Sequence, residues 1–289
     1  MEVAKRKALV SVVMITYNHE NYIKEAVEGV LMQNCDFDIE LIIADDKSSD
    51  ETEMIVDEII KTNPNGHWIK YTKHVQNKGM MPNFMWAIAQ AKGKYIALCE
   101  GDDYWVNSLK LQKQVDFLEE FPDYNFSMGI VDLFIEKTGE LLKRKEHIDP
   151  SKNETYILKD YLKAPFSQTS SFLFRNEGNP FPDWFENVNA GDQSLVVVTT
   201  GVKGKIKYHN ELFSVYRVNE SSVSFKIDRE QAKEKEIFFL NNVNDFTQFR
   251  FNKVIVKRKI INQLVYHSRS ENQIVKYLGI VFYLIFRKI

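Results

Sequence analysis

The sequence predicts an α/β protein, a mainly parallel sheet flanked by helices on both faces and followed by a C-terminal helical appendage. Three observations carry this expectation. Four short apolar runs alternate with three helix-period segments between Leu9 and Cys99, which is the order that builds βαβ units. The first of these runs, Leu9-Val10-Ser11-Val12-Val13-Met14-Ile15, is β-branched and nearly continuous, as expected of a strand covered on both faces. From Asp228 onward the pattern turns helical and gains basic clusters such as Lys257-Arg258-Lys259. The expected division is a main domain over 1–225 and a helical region over 226–289.

Taken in order, the first strand ends at Thr16-Tyr17-Asn18. Between Asn21 and Asn34, Tyr22, Ile23, Ala26, Val27, Val30 and Leu31 recur at helical spacing and give one buried face. Glu40 to Ala44 is strand-like, Asp45 to Asp50 is a turn rich in capping residues, and Thr52, Ile55, Val56, Ile59 and Ile60 mark a second helix that Asn63-Pro64-Asn65-Gly66 ends. Trp68 to Lys73 is the third strand; a polar loop, His74 to Met81, then leads to a helix that Pro82 can start and Gly93 can stop. Tyr95 to Cys99 is the fourth strand. Beyond it lie an expected helix over 108–120, a strand over 125–135, an exposed excursion over 136–154, a strand over 169–174, a helix over 192–200 and two short strands within 205–217. The repeated β-α order places Thr16, Asp46, the Asn77 loop and the residues after Cys99 along one carboxyl edge, where open α/β sheets bind ligands.

Composition narrows the function. The chain has 289 residues, 44% hydrophobic and 13% aromatic, which suits a packed globular core rather than disorder. A net charge of −2 gives no reason to expect nucleic acid as a partner. Cys35 and Cys99 form no CxxC or Cys/His cluster, so a zinc site or disulfide framework is not indicated and a reducing cytoplasm fits. No stretch reaches the roughly 18 apolar residues needed to cross a bilayer. Thr16 to Asn21 contains no glycine, against the GxGxxG turn of a dinucleotide-binding oxidoreductase. A nucleotidyltransferase would need a basic triphosphate loop after the first strand, and none is present.

The most informative segment is Glu100-Gly101-Asp102-Asp103, which places adjacent carboxylates where the fourth strand leaves the sheet. Neighbouring carboxylates repel one another and cost desolvation unless a cation or a hydrogen-bond network compensates them. Oxygen ligands favour Mg²⁺ or Mn²⁺, and a hard cation held by few protein oxygens keeps positions open for a nucleotide diphosphate. The alternative from the residues alone is an ordinary acidic loop.

Three motifs, Val12-Val13-Met14-Ile15-Thr16-Tyr17-Asn18, Ala44-Asp45-Asp46-Lys47-Ser48-Ser49-Asp50 and Glu100-Gly101-Asp102-Asp103-Tyr104-Trp105, stand in the order and spacing of the family 2 glycosyltransferases, which the chain resembles over roughly residues 8–220. The resemblance implies a GT-A fold, a UDP-sugar donor, a divalent cation (Mn²⁺ or Mg²⁺) and inversion at the anomeric carbon. Carried over position by position, it implies that Thr16 and Tyr17 pack the uracil, that Asn18 belongs to the donor site, and that Asp46 accepts from the imide N–H of the base. That contact selects uracil over cytosine, whose corresponding ring nitrogen has no hydrogen. Asp45 is expected to brace the turn. The resemblance also implies that Asp102 faces the ribose or the cation's water while Asp103 ligates the cation, and that Asn77 and Lys78 border the donor. In Asn189-Ala190-Gly191-Asp192-Gln193 it implies a general base at Asp192, against a residue that caps the helix. In Ser214-Val215-Tyr216-Arg217 it implies a diphosphate clamp at Arg217, against a structural ion pair. Asn219 stands where relatives often carry a metal-binding histidine, which leaves the third protein ligand open.

The tail Tyr277-Leu278-Gly279-Ile280-Val281-Phe282-Tyr283-Leu284-Ile285-Phe286, followed by Arg287-Lys288, is expected either to lie on a membrane surface or to pack on the domain or a second copy. The function that results is transfer of a sugar from a UDP-sugar to a hydroxyl of a saccharide or lipid-linked acceptor, in surface polysaccharide or glycolipid synthesis. The alternative is a catalytically silent nucleotide-sugar-binding or scaffold protein of the same fold.

Overall fold

The computed structural model describes residues 10–143, 148–149, 151, 153–178, 181–188, 190–219 and 228–268. The tail 277–288 lies outside the described residues.

The first half follows the expected βα alternation: β1 (Val10–Thr16), α1 (Ile23–Leu31), β2 (Ile39–Asp45), α2 (Thr52–Thr62), β3 (Ile69–Lys73), α3 (Met80–Gln90) and β4 (Tyr95–Leu98). These strands lie in the order β3-β2-β1-β4 and pair in parallel, with Val10 to Thr16 of β1 opposite Ile39 to Asp45 of β2. Alternating residues feed two cores. Val12, Met14, Leu41, Ile43, Tyr95 and Ala97 pack under α1, α2 and α4 (Lys110–Glu120), while Val13, Ile42, Ala44, Ile96 and Leu98 pack against α3 and the later helices. Both faces are therefore dry, which is why these strands are almost wholly apolar, with the buried Ser11 and Glu40 hydrogen-bonded to each other. Helix α3 begins at Met80, two residues before Pro82, and ends at Gln90, before Gly93; proline in a first turn removes only an N–H that has no helical partner.

Past β4 the sheet becomes mixed. The remaining strands are β5 (Tyr104–Trp105), β6 (Tyr124–Ile135), β7 (Glu140–Leu142), β8 (Thr155–Ile157), β9 (Leu173–Arg175) and β10 (Lys205–Val218). Strand β9 joins the two halves by pairing antiparallel with both β4 and β6. Two expectations need correction. Within 169–174, Thr169–Ser171 forms a 3-10 turn and only Leu173 starts a strand. The Ser171 hydroxyl donates to the Gln168 carbonyl at 2.9 Å, the local bonding by which Ser and Thr compete with a sheet ladder. Residues 205–217 form one long strand, with register shifts at His209/Leu212 and Leu212/Ser214. The polar step Asn210-Glu211 thus marks a bulge rather than a turn.

Helices α5 (Leu158–Lys163) and α6 (Gly191–Thr200) cover the second face, and α7 (Arg229–Phe246) and α8 (Asn252–Ser268) form the C-terminal helices. Asp228 caps α7 by accepting from the backbone N–H of Glu230 and Gln231. Phe239, Leu240, Val243 and Ile255 belong to the same buried cluster as Leu195 and Val196 of α6. Arg258 donates to Gln193 Oε1 at 2.6 Å and pairs with Glu236 at 2.7 Å. The C-terminal helices thus reach the residue that follows Asp192. Among the described residues no helix is long and apolar enough to cross a membrane.

Candidate active site

The carboxyl ends of β1, β2 and β4 meet through backbone bonds: Asp46 N–H donates to the Thr16 carbonyl at 2.9 Å, and Gly101 N–H to the Ile15 carbonyl at 3.0 Å. The two neighbouring aspartates after β2 are sorted by what they hold. Asp45, fully buried, accepts from Ser48 N–H at 2.6 Å and from the Tyr71 hydroxyl, and so braces its own turn. Asp46 faces the crevice loop instead. Its carboxylate accepts from Lys78 N–H at 2.6 Å and Gly79 N–H at 2.9 Å, and Asn77 Nδ2 donates to its carbonyl at 2.9 Å. Asp46, Asn77 and Lys78 are therefore one hydrogen-bonded unit. Asn18 takes a left-handed backbone, φ 55°, and bonds the same turn through Ser48 Oγ and Ser49 N–H. Thr16 is buried at the strand end, whereas Tyr17 projects with 49% exposure, a ring free to stack on a flat ligand.

The loop after β4 concentrates negative charge. Gly101 is there because nothing larger fits: an added Cβ would lie 2.8 Å from Thr16 Oγ1 and 2.9 Å from His19 Nδ1. Both of those atoms, and Glu100 Oε2, are buried without a hydrogen-bond partner. Burial, then the charges of Asp102 and Asp192, pushes the Glu100 carboxyl up to about 8. Burial, then Asp102 and Glu100, likewise raises Asp103 well above the usual carboxylate range. Two hydroxyls temper this: Thr169 bonds Glu100 and Ser170 bonds Asp103. Asp103 Oδ1 also accepts from Arg217 N–H at 2.9 Å.

Asp192 lies in the first turn of α6. Its charge is felt at Glu100, so α6 brings this aspartate near the carboxylate loop. The α6 N-cap is Ala190, without a side-chain cap bond; Asp192 stands inside the helix rather than at the capping position. Gly191 lies against Met81, where an added Cβ would come within 2.8 Å of the sulfur, so α6 also abuts the helix that follows the Lys78 loop. Arg217 is engaged elsewhere: its Nη2 pairs with Glu25 Oε2 at 2.5 Å and its Nε donates to the Asp102 carbonyl at 3.0 Å. Asn219 Nδ2 sits 3.4 Å from Asp102 Oδ2.

The site fits a hard divalent cation by charge and by ligand chemistry. Burial first and neighbouring charge second raise the carboxyls of Glu100 and Asp103, so ionising them together with Asp102 carries a cost that a bound cation would offset. Among the described residues no three His, Cys, Asp or Glu side chains are arranged to hold an ion unaided, so ligand oxygens would have to complete the shell. Sequence reasoning missed His19, Glu25, Thr169 and Ser170. The consecutive hydroxyls Thr169-Ser170-Ser171 inside an apolar stretch were the available signal, because such residues favour local turns. Nothing local distinguishes Glu25 from other exposed helix carboxylates.

Residues 11–179 match the family described as Glycosyl transferase family 2. An uncharacterized protein of Mycobacterium bovis is 35% identical over 207 residues, covering 72% of this chain and 58% of that protein. The Escherichia coli protein named UDP-Glc:alpha-D-GlcNAc-diphosphoundecaprenol beta-1,3-glucosyltransferase WfaP is 37% identical over 111 residues, 38% of this chain and 41% of its own length. The chain thus spans about half the length of these relatives. Among solved structures, Staphylococcus aureus TarS 1-349 in complex with UDP-GlcNAc aligns with a TM-score of 0.67 at 18% identity, covering 89% of this chain and 72% of that one. The likeness identifies the fold as GT-A.

Proposed function

Because the chain belongs to glycosyl transferase family 2, we propose that it moves a sugar from a UDP-sugar to a hydroxyl of a saccharide or lipid-linked acceptor, with inversion at the anomeric carbon. The observation that carries this reading is the convergence of the Asp46 unit, the Glu100–Asp103 loop and Asp192 on one sheet edge. The UDP-glucose and the diphosphoundecaprenol-linked acceptor in the name of the E. coli relative support the choice of donor and acceptor class.

In this reading Tyr17 stacks on the uracil, and Asp46, with Asn77 and Lys78, walls the base and the adjoining phosphates. Asp102 and Asp103 hold Mn²⁺ or Mg²⁺. When bound, the cation neutralises the departing diphosphate. Arg217 anchors the loop that presents those carboxylates. Asp192, near a second carboxyl that burial keeps largely protonated at neutral pH, takes the proton from the attacking hydroxyl. With both reactants held in line, one displacement suffices and the configuration inverts. The reading puts the reaction on the cytoplasmic side, in surface polysaccharide or glycolipid synthesis, with residues 1–225 as the catalytic domain and 226–289 as its helical appendage.

The test is incubation with UDP-glucose or UDP-N-acetylglucosamine, Mn²⁺ and GlcNAc-diphosphoundecaprenol, following UDP release and acceptor mass. Release matched by acceptor gain is expected from the wild type and not from Asp192→Asn. Tight UDP binding with no transfer to this or other saccharide acceptors would favour the silent binder, the reading for which the Asn219–Asp102 contact speaks.

A further inference from the structure

Arg217 makes two contacts with the carboxylate loop and one with α1. Its backbone N–H donates to Asp103 Oδ1 at 2.9 Å, its Nε donates to the Asp102 carbonyl at 3.0 Å, and its Nη2 pairs with Glu25 Oε2 of α1 at 2.5 Å. The guanidinium carbon lies 5.0, 5.1 and 5.4 Å from the ring centres of Tyr22, Tyr104 and Phe134. The side chain is 10% exposed. A buried guanidinium beside two adjacent aspartates would ordinarily pair with one of them in the bidentate manner its fork favours. Here it touches Asp102 through the carbonyl and directs its charge to Glu25, one helix away.

We propose that Glu25 is a positioning residue: it draws the Arg217 guanidinium off the carboxylates of Asp102 and Asp103 and so reserves their charge for the divalent cation. The inference rests on the cation-dependent reading above. Glu25 sets the direction of the arginine, the three rings hold it there, and the backbone contacts of Arg217 keep the loop in place. Without Glu25 the guanidinium keeps its bond to the Asp102 carbonyl, a few bonds from the Asp102 carboxylate. It would then compete with the cation for the same oxygens. A purely stabilising ion pair predicts something different. The Glu25 side chain is 55% exposed, and pairs of that kind contribute little to stability; their loss lowers the melting temperature slightly and leaves cation binding alone.

The experiment measures free Mn²⁺ by its paramagnetic resonance signal in the presence of saturating UDP, for the wild type, Glu25→Ala, Arg217→Gln and the double variant, with melting temperatures alongside. The expected result is roughly tenfold weaker Mn²⁺ binding in Glu25→Ala with a melting temperature close to wild type, and less than a twofold effect of Glu25→Ala when Arg217 is already glutamine. Glu25→Gln, which keeps a hydrogen-bond acceptor without the charge, should fall between wild type and Glu25→Ala. A Glu25→Ala protein that binds Mn²⁺ as the wild type does, or a tenfold loss that persists in the Arg217→Gln background, would overturn the inference while leaving the proposed reaction standing. A wild type that binds UDP but no Mn²⁺ would overturn the cation-dependent reading and this inference with it.

Discussion

Replacing Glu100 with glutamine should stabilise the protein at alkaline pH, and the size of the gain follows from the site. Burial and the charges of Asp102 and Asp192 lift the Glu100 carboxyl from 4.5 to about 8. At about 1.4 kcal/mol per pH unit that difference corresponds to roughly 5 kcal/mol of disfavoured ionisation. Glu100 keeps some solvent contact, which reduces the usable figure to about 2 kcal/mol. The folded state binds a proton between pH 4.5 and about 8 that the unfolded chain has lost. Wild-type stability therefore falls as pH rises through that window. The Glu100→Gln side chain mimics the protonated acid and carries no such penalty. Lys110, fully buried and lowered to about 7, contributes the opposite slope above pH 7, but it is common to both proteins and cancels in the difference. Urea unfolding of metal-free protein should give equal stabilities at pH 5 and an advantage of about 2 kcal/mol for Glu100→Gln at pH 8. Saturating Mn²⁺ should erase most of that advantage by stabilising the wild type. An advantage no larger at pH 8 than at pH 5 would refute the claim that ionising this loop carries a cost.

Other perturbations follow from the same contacts. Asp46→Ala removes two charge-assisted bonds to the Lys78 and Gly79 N–H groups; it should cost about 2 kcal/mol of stability and weaken UDP binding at least tenfold by calorimetry. Gly101→Ala would press a methyl against Thr16 Oγ1 and His19 Nδ1, costing about 1–3 kcal/mol in denaturant unfolding and loosening UDP binding. Asp192→Asn should leave the UDP dissociation constant within about twofold while lowering transfer by roughly 10²–10⁴ in a radiolabelled-donor assay.

Where residue periodicity decides structure, the sequence was explicit. β1, β2 and β4 are buried on both faces, and their largely apolar, β-branched-rich runs announced it. The second half was harder, because short strands there pair with distant partners: β9 is fixed by β4 and β6, contacts that no local pattern announces. At the candidate site, Asp102 and Asp103 stood out because adjacent carboxylates are costly without a purpose, and Asp46 and Asp192 because their motifs resemble those of the family. Their support did not. Thr169, Ser170, His19 and Glu25 are ordinary in sequence and acquire a role only when a turn or helix far along the chain brings them against the loop.

The central claim is that the sheet-edge crevice binds the UDP portion of a nucleotide sugar together with a divalent cation. Calorimetric titration of UDP into the full chain, with Mn²⁺ and with EDTA, beside GDP, CMP and NAD, tests it most directly. The account predicts binding confined to UDP and strengthened at least tenfold by Mn²⁺. Absence of UDP binding, or a stronger response to NAD, would contradict it.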